Sequence, residues 1–148
     1  MPPECVVDTT VLQKANAPLK QKLREHSQFA ARHRLLHNLF TGKQTLLVSK
    51  RLLHEYRTQI PEPRNENIRM LFELISDHSG RILFNWKKPW SGGDRDKAHR
   101  CRFPNEDTHV LRTAVRPSGS VIITEEGRML SADSCIHRQF RVHIIKPW

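Results

Sequence analysis

Residues Cys5 to Leu12 read CVVDTTVL, and the fold turns on how the apolar run Cys5, Val6, Val7 stops at Asp8. A short unbroken apolar run suits a parallel strand covered on both faces, because such a strand has no solvent side to carry polar residues. Thr45 to Val48 is a second β-rich run, and it leads directly into Ser49, a residue suited to capping a helix. Beyond Ser49, Leu52, Leu53 and Tyr56 form a helical stripe that Pro61 and Pro63 close. Val121 to Ile123 is a third apolar run, ending in Thr124, Glu125 and Glu126. Arg81 to Phe84 is a further strand candidate, and Phe140, Val142 and Ile144 alternate with Arg141 and His143 in a final one.

Helical periods fill the gaps. From Pro18 to Phe40 the apolar positions are Leu19, Leu23, Phe29, Leu36 and Phe40, which predicts one long helix or two short ones with a break near Ser27. Gly42 is placed to end it as a left-handed cap. Ile68, Leu71, Phe72 and Ile75 share one face of another helix, with Gly80 beyond its end, and Glu106 to Ala114 turns Val110, Leu111 and Ala114 inward. Asn85 to Phe103 has neither period and contains Pro89, Gly92 and Gly93, so an extended loop is expected there. Strands separated by helices imply crossover connections, hence an α/β fold of three layers, α/β/α, on a mostly parallel sheet.

The 148 residues fit one domain, spanning 1–148. Apolar stretches are too short to cross a bilayer, and the N-terminus lacks a basic region followed by an apolar core, so the expectation is a cytoplasmic protein with no membrane partner. Cys5, Cys101 and Cys135 show no spacing that would put two thiolates on one metal, and a reducing compartment is the default for them. The formal charge of +10 steers the chain toward polyanions, with nucleic acid the natural candidate.

Four acids stand where an open α/β sheet binds its ligands, outside the carboxyl ends of the strands. Asp8 and Glu126 follow apolar strands, Glu55 falls in the second turn of the helix after Ser49, and Asp107 opens its own helix. Carboxylates gathered closely raise one another's pKa and oppose folding unless a cation neutralises them. Mg²⁺ or Mn²⁺ is the hard, oxygen-seeking ion for that task, and either can activate water against a phosphodiester.

These residues resemble a known family. Val6 to Leu12 is similar to the opening of PIN domains, a strand ending in aspartate, then a small polar pair and an apolar pair. Leu47 to Tyr56, LVSKRLLHEY, resembles the family's strand, serine and helix with an inward glutamate, here Glu55. Glu106 to Leu111 with Ala114 resembles the acidic pair and helix that supply the third acid, Asp107. Val121 to Leu130, VIITEEGRML, is similar to the strand, threonine and fourth acid, and HIIKP to the closing strand.

The resemblance implies a metal-dependent endoribonuclease, a homodimer, and the toxin half of a toxin–antitoxin pair whose acidic antitoxin covers the basic cleft. Asp8, Glu55, Asp107 and Glu126 become the catalytic and metal-binding acids, with Glu125 the rival for the fourth place and Thr124 a holder of water or the scissile phosphate. Two departures point to the alternative, a catalytically weak or inactive PIN-like nucleic-acid binder: Glu126 stands where the family usually has aspartate, and Arg128 lies near the place of a further acid.

For substrate contact, Trp86 to Arg102 holds six basic residues against two acidic ones, a formal +4, together with Trp86 and Trp90. Basic side chains for phosphates and aromatic faces for bases suit a single-stranded groove, so Lys87, Lys88, Trp90, Arg112 and Arg128 are candidate RNA contacts. The competing role for the tryptophans is to pin the loop to the body. His33 and His37 have helical metal spacing, but Arg34 stands where a zinc protease needs glutamate, so packing or exposure is expected of them. Ser118 to Ser120 precedes a strand and makes no nucleophile elbow.

Overall fold

The computed structural model describes residues 3–19, 27–85 and 90–148. Its five strands are β1 (Glu4–Val7), β2 (Thr45–Val48), β3 (Ile82–Phe84), β4 (Ser120–Ile123) and β5 (Val142–Ile145). All neighbours pair parallel, in the order β3-β2-β1-β4-β5. Cys5 registers with Leu46 on one side and Val121 on the other, and Ile123 with Ile145. The apolar runs are strands because both sheet faces are covered: Cys5, Val6, Val7, Leu46, Leu47 and Val48 are all fully buried. The alternation expected of the last strand holds, with Val142 and Ile144 buried between exposed His143 and Ile145.

Among the described residues the helices are α1 (Thr9–Ala15), α2 (Ser27–Phe40), α3 (Lys50–Gln59), α4 (Glu66–Ser76), α5 (Gly92–Arg100), α6 (Thr108–Ala114), α7 (Gly127–Ser131) and α8 (Asp133–Phe140), with a 3-10 turn at Asn105–Asp107. Helices α1 to α4 pack on one another, α6 lies across β1, β2 and β4, and α7 and α8 pack on β5. The sheet is thus flanked by helices in a three-layer α/β/α arrangement. Gly42 adopts the left-handed conformation foreseen for it, at φ 76°. The Lys43 amide then closes onto the Asn38 carbonyl at 2.9 Å.

Several expectations change. Residues 91–100 are not extended loop, because α5 occupies Gly92–Arg100. Its start is a capping box in which Ser91 accepts from the Asp94 amide and Asp94 from the Ser91 amide. The apolar period is missing since Ala98 alone of α5 is buried. The helix expected to open at Glu106 opens at Thr108, after the 3-10 turn. Three further helices, α1, α7 and α8, fill stretches for which no helix is predicted. Leu23 and the other residues 20–26, which lead up to the predicted break near Ser27, lie outside the described residues, as do Trp86, Lys87 and Lys88.

Cys101 and Cys135 form a disulfide, with Cα atoms 5.4 Å apart, that ties the end of α5 to α8. That bond runs against the reducing compartment taken as the default for the three cysteines. His33 is a packing residue as expected, its Nε2 3.1 Å from the Ala15 carbonyl and its Nδ1 2.9 Å from Asn67 Nδ2. Among the described residues no helix is long and apolar enough to cross a membrane.

Candidate metal centre

Strand order reverses at β1, whose neighbours β2 and β4 lead to opposite edges, and the crevice of such a sheet opens at the carboxyl ends there. Asp8 leaves β1 at that point, its amide held by the Ile123 carbonyl at 2.9 Å. The Thr124 hydroxyl, the next side chain after β4, donates to Asp8 Oδ2 at 2.8 Å, and Thr10 donates to the same oxygen at 3.0 Å. Thr124 Oγ1 also accepts the Glu126 amide at 3.0 Å, so one buried hydroxyl couples the first and fourth acids. Its proton is directed at Asp8, whose carboxylate it orients.

Glu55 projects from α3, whose start is fixed by Ser49 accepting the Leu52 amide at 3.2 Å. Thr9 donates to Glu55 Oε1 and His109 Nε2 to Glu55 Oε2, each at 2.6 Å. His109 is the second residue after Asp107, so this bond places α3 and the start of α6 at one rim. The role of His109 is absent from the sequence reading; its only local signal is its place two positions after an expected acid. Its Nδ1 is buried without a hydrogen-bond partner among the described residues.

Electrostatics report the same convergence. The Asp107 carboxyl is pushed up to about 6, first by burial and then by the charges of Asp8, Glu106, Glu126 and Glu55. Asp107 caps α6 by position but makes no side-chain cap bond, so its oxygens are not committed to the helix. Burial raises Asp8 as well, aided by Glu55 and opposed by the hydrogen bonds from Thr124, Thr10 and the Thr9 amide.

Of the two candidates for the fourth place, Glu126 is the one tied to Thr124, through its amide. Glu125 is turned the other way, onto Arg32, whose Nε and Nη2 reach its two oxygens at 2.6 Å each, with Lys14 at 3.3 Å. Burial works to raise Glu125, but Arg32 and Lys14 outweigh it and hold the carboxyl below its ordinary value. Glu126 itself accepts the Met129 amide at 3.0 Å as cap of α7 and Arg128 Nε at 3.2 Å. The other end of Arg128 pairs with Glu106.

The donor chemistry fits a hard divalent ion: Asp8, Glu55, Asp107 and Glu126 offer only oxygen, and Asp107 lacks a compensating cation among the described residues. The match is one of charge and placement. Among the described residues no three His, Cys, Asp or Glu side chains close on one point, with Glu55 turned onto Thr9 and His109 and Glu126 onto its own helix.

Of the candidate RNA contacts, Arg112 and Arg128 are exposed near this rim. Trp90 is a wall residue. It stacks on Phe140 at 5.6 Å between centroids, carries the Arg112 guanidinium 5.8 Å from its ring centroid, and buries its Nε1 without a partner among the described residues. Comparison with family models, with curated proteins and with solved structures finds no match to this chain.

Proposed function

We propose that the chain is a Mg²⁺- or Mn²⁺-dependent endoribonuclease of PIN type, in which Asp8, Glu55, Asp107 and Glu126 hold the ion. The observation that carries the reading is the double bridge: Thr124 joins Asp8 to Glu126, and His109, beside Asp107, joins α6 to Glu55. Acids distant in sequence thereby share one rim, at a charge cost that a cation offsets. The bound ion would supply Lewis acidity toward water and neutralise charge on the phosphodiester and its leaving oxygen. The chain's own part is orientation. Thr10 and Thr124 fix one Asp8 oxygen, Thr9 and His109 fix both Glu55 oxygens, and the exposed guanidinium of Arg112 supplies positive charge for the RNA backbone.

The +10 charge supports a polyanionic substrate, and the PIN resemblance supports RNA, a homodimer and a place as toxin beside an acidic antitoxin. Cleavage of single-stranded RNA in Mn²⁺ that is lost in chelator and in Asp8→Asn is the expected result. RNA binding without cleavage in any divalent ion overturns the enzyme.

One observation favours the second reading, a catalytically weak or inactive nucleic-acid binder. Arg128 already occupies Glu126 and Glu106, which places a protein cation where an ion would compete. Metal-dependent cleavage that is absent from the wild type and appears in Arg128→Ala selects this reading.

A further inference from the structure

Beside the acid rim lies an open cavity of about 670 Å³, a size common to small-ligand sites. Lys50 and Arg51 of α3, Arg95 of α5 and Arg112 of α6 line it against the single acid Asp96, and Trp90 and His109 complete its wall. Two features make this more than a solvated basic face. First, α3 opens with Lys50 and Arg51 and has no acid in its first turn, although positive charge at that end opposes the helix dipole. An anion in the cavity would relieve both. Second, the cavity wall is built onto the acid rim: His109, only 8 % exposed, lines the cavity and holds Glu55 through Nε2 at 2.6 Å.

His109 is also the link to the chemistry. The imidazole that walls the cavity donates through Nε2 to Glu55, so whatever fills the cavity sits one side chain away from the acids. A linear polymer whose backbone passes the acid rim would therefore lay its neighbouring unit here. We propose that this cavity seats the nucleotide adjacent to the scissile phosphodiester of a single-stranded RNA, its phosphate held by Arg112, Lys50, Arg51 and Arg95 and its sugar and base against the Trp90 wall. The assignment rests on reading the acids as a metal-dependent nuclease centre. Continuity with that centre is what favours RNA over an acidic protein segment as the occupant.

The probe is a fluorescein-labelled hexauridylate, titrated by anisotropy in chelator so that no cleavage occurs. Arg112→Gln and the pair Lys50→Gln/Arg51→Gln alter exposed side chains, and Arg34→Gln on α2 serves as the control for general positive charge. The expected result is a Kd raised about tenfold by each cavity variant, with a shallower salt dependence, and a Kd within about twofold of wild type for Arg34→Gln. Circular dichroism confirms that each variant folds.

Equal affinities in all variants, equal weakening by Arg34→Gln, or no binding by the wild type overturns the cavity. Displacement of the probe by an oligoglutamate of equal charge at the same concentration as unlabelled hexauridylate shows that it reads charge alone, which also overturns the assignment. The two readings fail separately. A failed nuclease reading leaves probe binding sensitive to the cavity variants with no Mn²⁺-dependent cleavage, whereas a failed cavity leaves cleavage intact and the affinities unchanged.

Discussion

Thr124 Oγ1 donates to Asp8 Oδ2 at 2.8 Å across 116 positions of sequence, and the same oxygen accepts the Glu126 amide. The hydroxyl is completely buried, so its effect on the centre runs through the acids it orients. Thr124→Val keeps the shape and deletes the donor. Asp8 then loses a hydrogen bond that opposes its upward shift, and its carboxylate is freed to rotate. Mn²⁺ affinity measured by calorimetry should fall about tenfold, the usual scale for removing a partner that orients a metal ligand. Unaltered affinity with an intact fold would remove Thr124 from the site.

The strand ends were readable because burial on both faces leaves a mark in composition. Val6, Val7, Leu46, Leu47 and Val48 have no exposed surface, and apolar runs without alternation are what such strands require. Asp8 follows from that reading directly, and so does the pair Glu125 and Glu126 after Thr124. Helix α5 escaped because periodicity reports burial, and a helix with one buried residue has no period; only the Ser91–Asp94 capping box marked it. Helix α8 buries Ile136 and Phe140 alone, four positions apart, which is a thin stripe. That Glu125 turns away was not legible locally, since it is held by Arg32, 93 residues away. Nor does the spacing of three thiols say which two meet.

Arg32 and Glu125 are both nearly buried, with side chains 10 % and 6 % exposed. Arg32→Ala leaves Glu125 with Lys14 as its remaining partner in that group, and should cost about 3 kcal/mol at neutral pH in urea unfolding. The pH dependence gives a second readout. In the wild type Glu125 is depressed, so its stabilisation is complete above the ordinary carboxylate pKa and is lost as pH falls through the depressed value. In the variant only Lys14 still opposes burial, so the carboxyl moves up from its wild-type position. The gap between the two proteins should therefore shrink as pH falls below about 4. A gap constant from pH 7 to pH 3 would show that the pair does not govern Glu125.

The Cys101–Cys135 disulfide closes 34 residues between α5 and α8. On chain-entropy grounds a loop of that length is worth roughly 4 kcal/mol against the unfolded state. Cys101→Ser/Cys135→Ser should lower the urea midpoint by the corresponding amount, and reductant should then have no further effect. Burial pushes the Cys5 thiol up to about 12, so native protein should show no reactive thiol before reduction and two after it. Two reactive thiols in freshly prepared, unreduced protein would place the working form in the reduced state.

Asp107 links metal, proton and fold. Its carboxyl, ordinarily near 3.8, titrates at about 6 in the folded chain, so the fold binds that proton more tightly than the unfolded chain does. The stabilisation is complete below the unfolded value and is lost as pH rises through about 6, which leaves the metal-free protein carrying a penalty at neutral pH. Asp107→Asn should remove it and stabilise the chelated protein at pH 7 by about 1 kcal/mol, a figure kept small because the group is partly solvated. The wild type should lose stability between pH 4 and pH 6.5 in chelator, and the variant should lose less. Saturating Mn²⁺ should invert the contrast, since ion binding favours the ionised carboxyl and displaces its proton: the wild type gains Tm at pH 7 and gains little at pH 5, while Asp107→Asn gains little at either. If Mn²⁺ raises the Tm of both proteins equally at pH 7, Asp107 does not bind the ion, and the acid rim must owe its charge to something other than a metal.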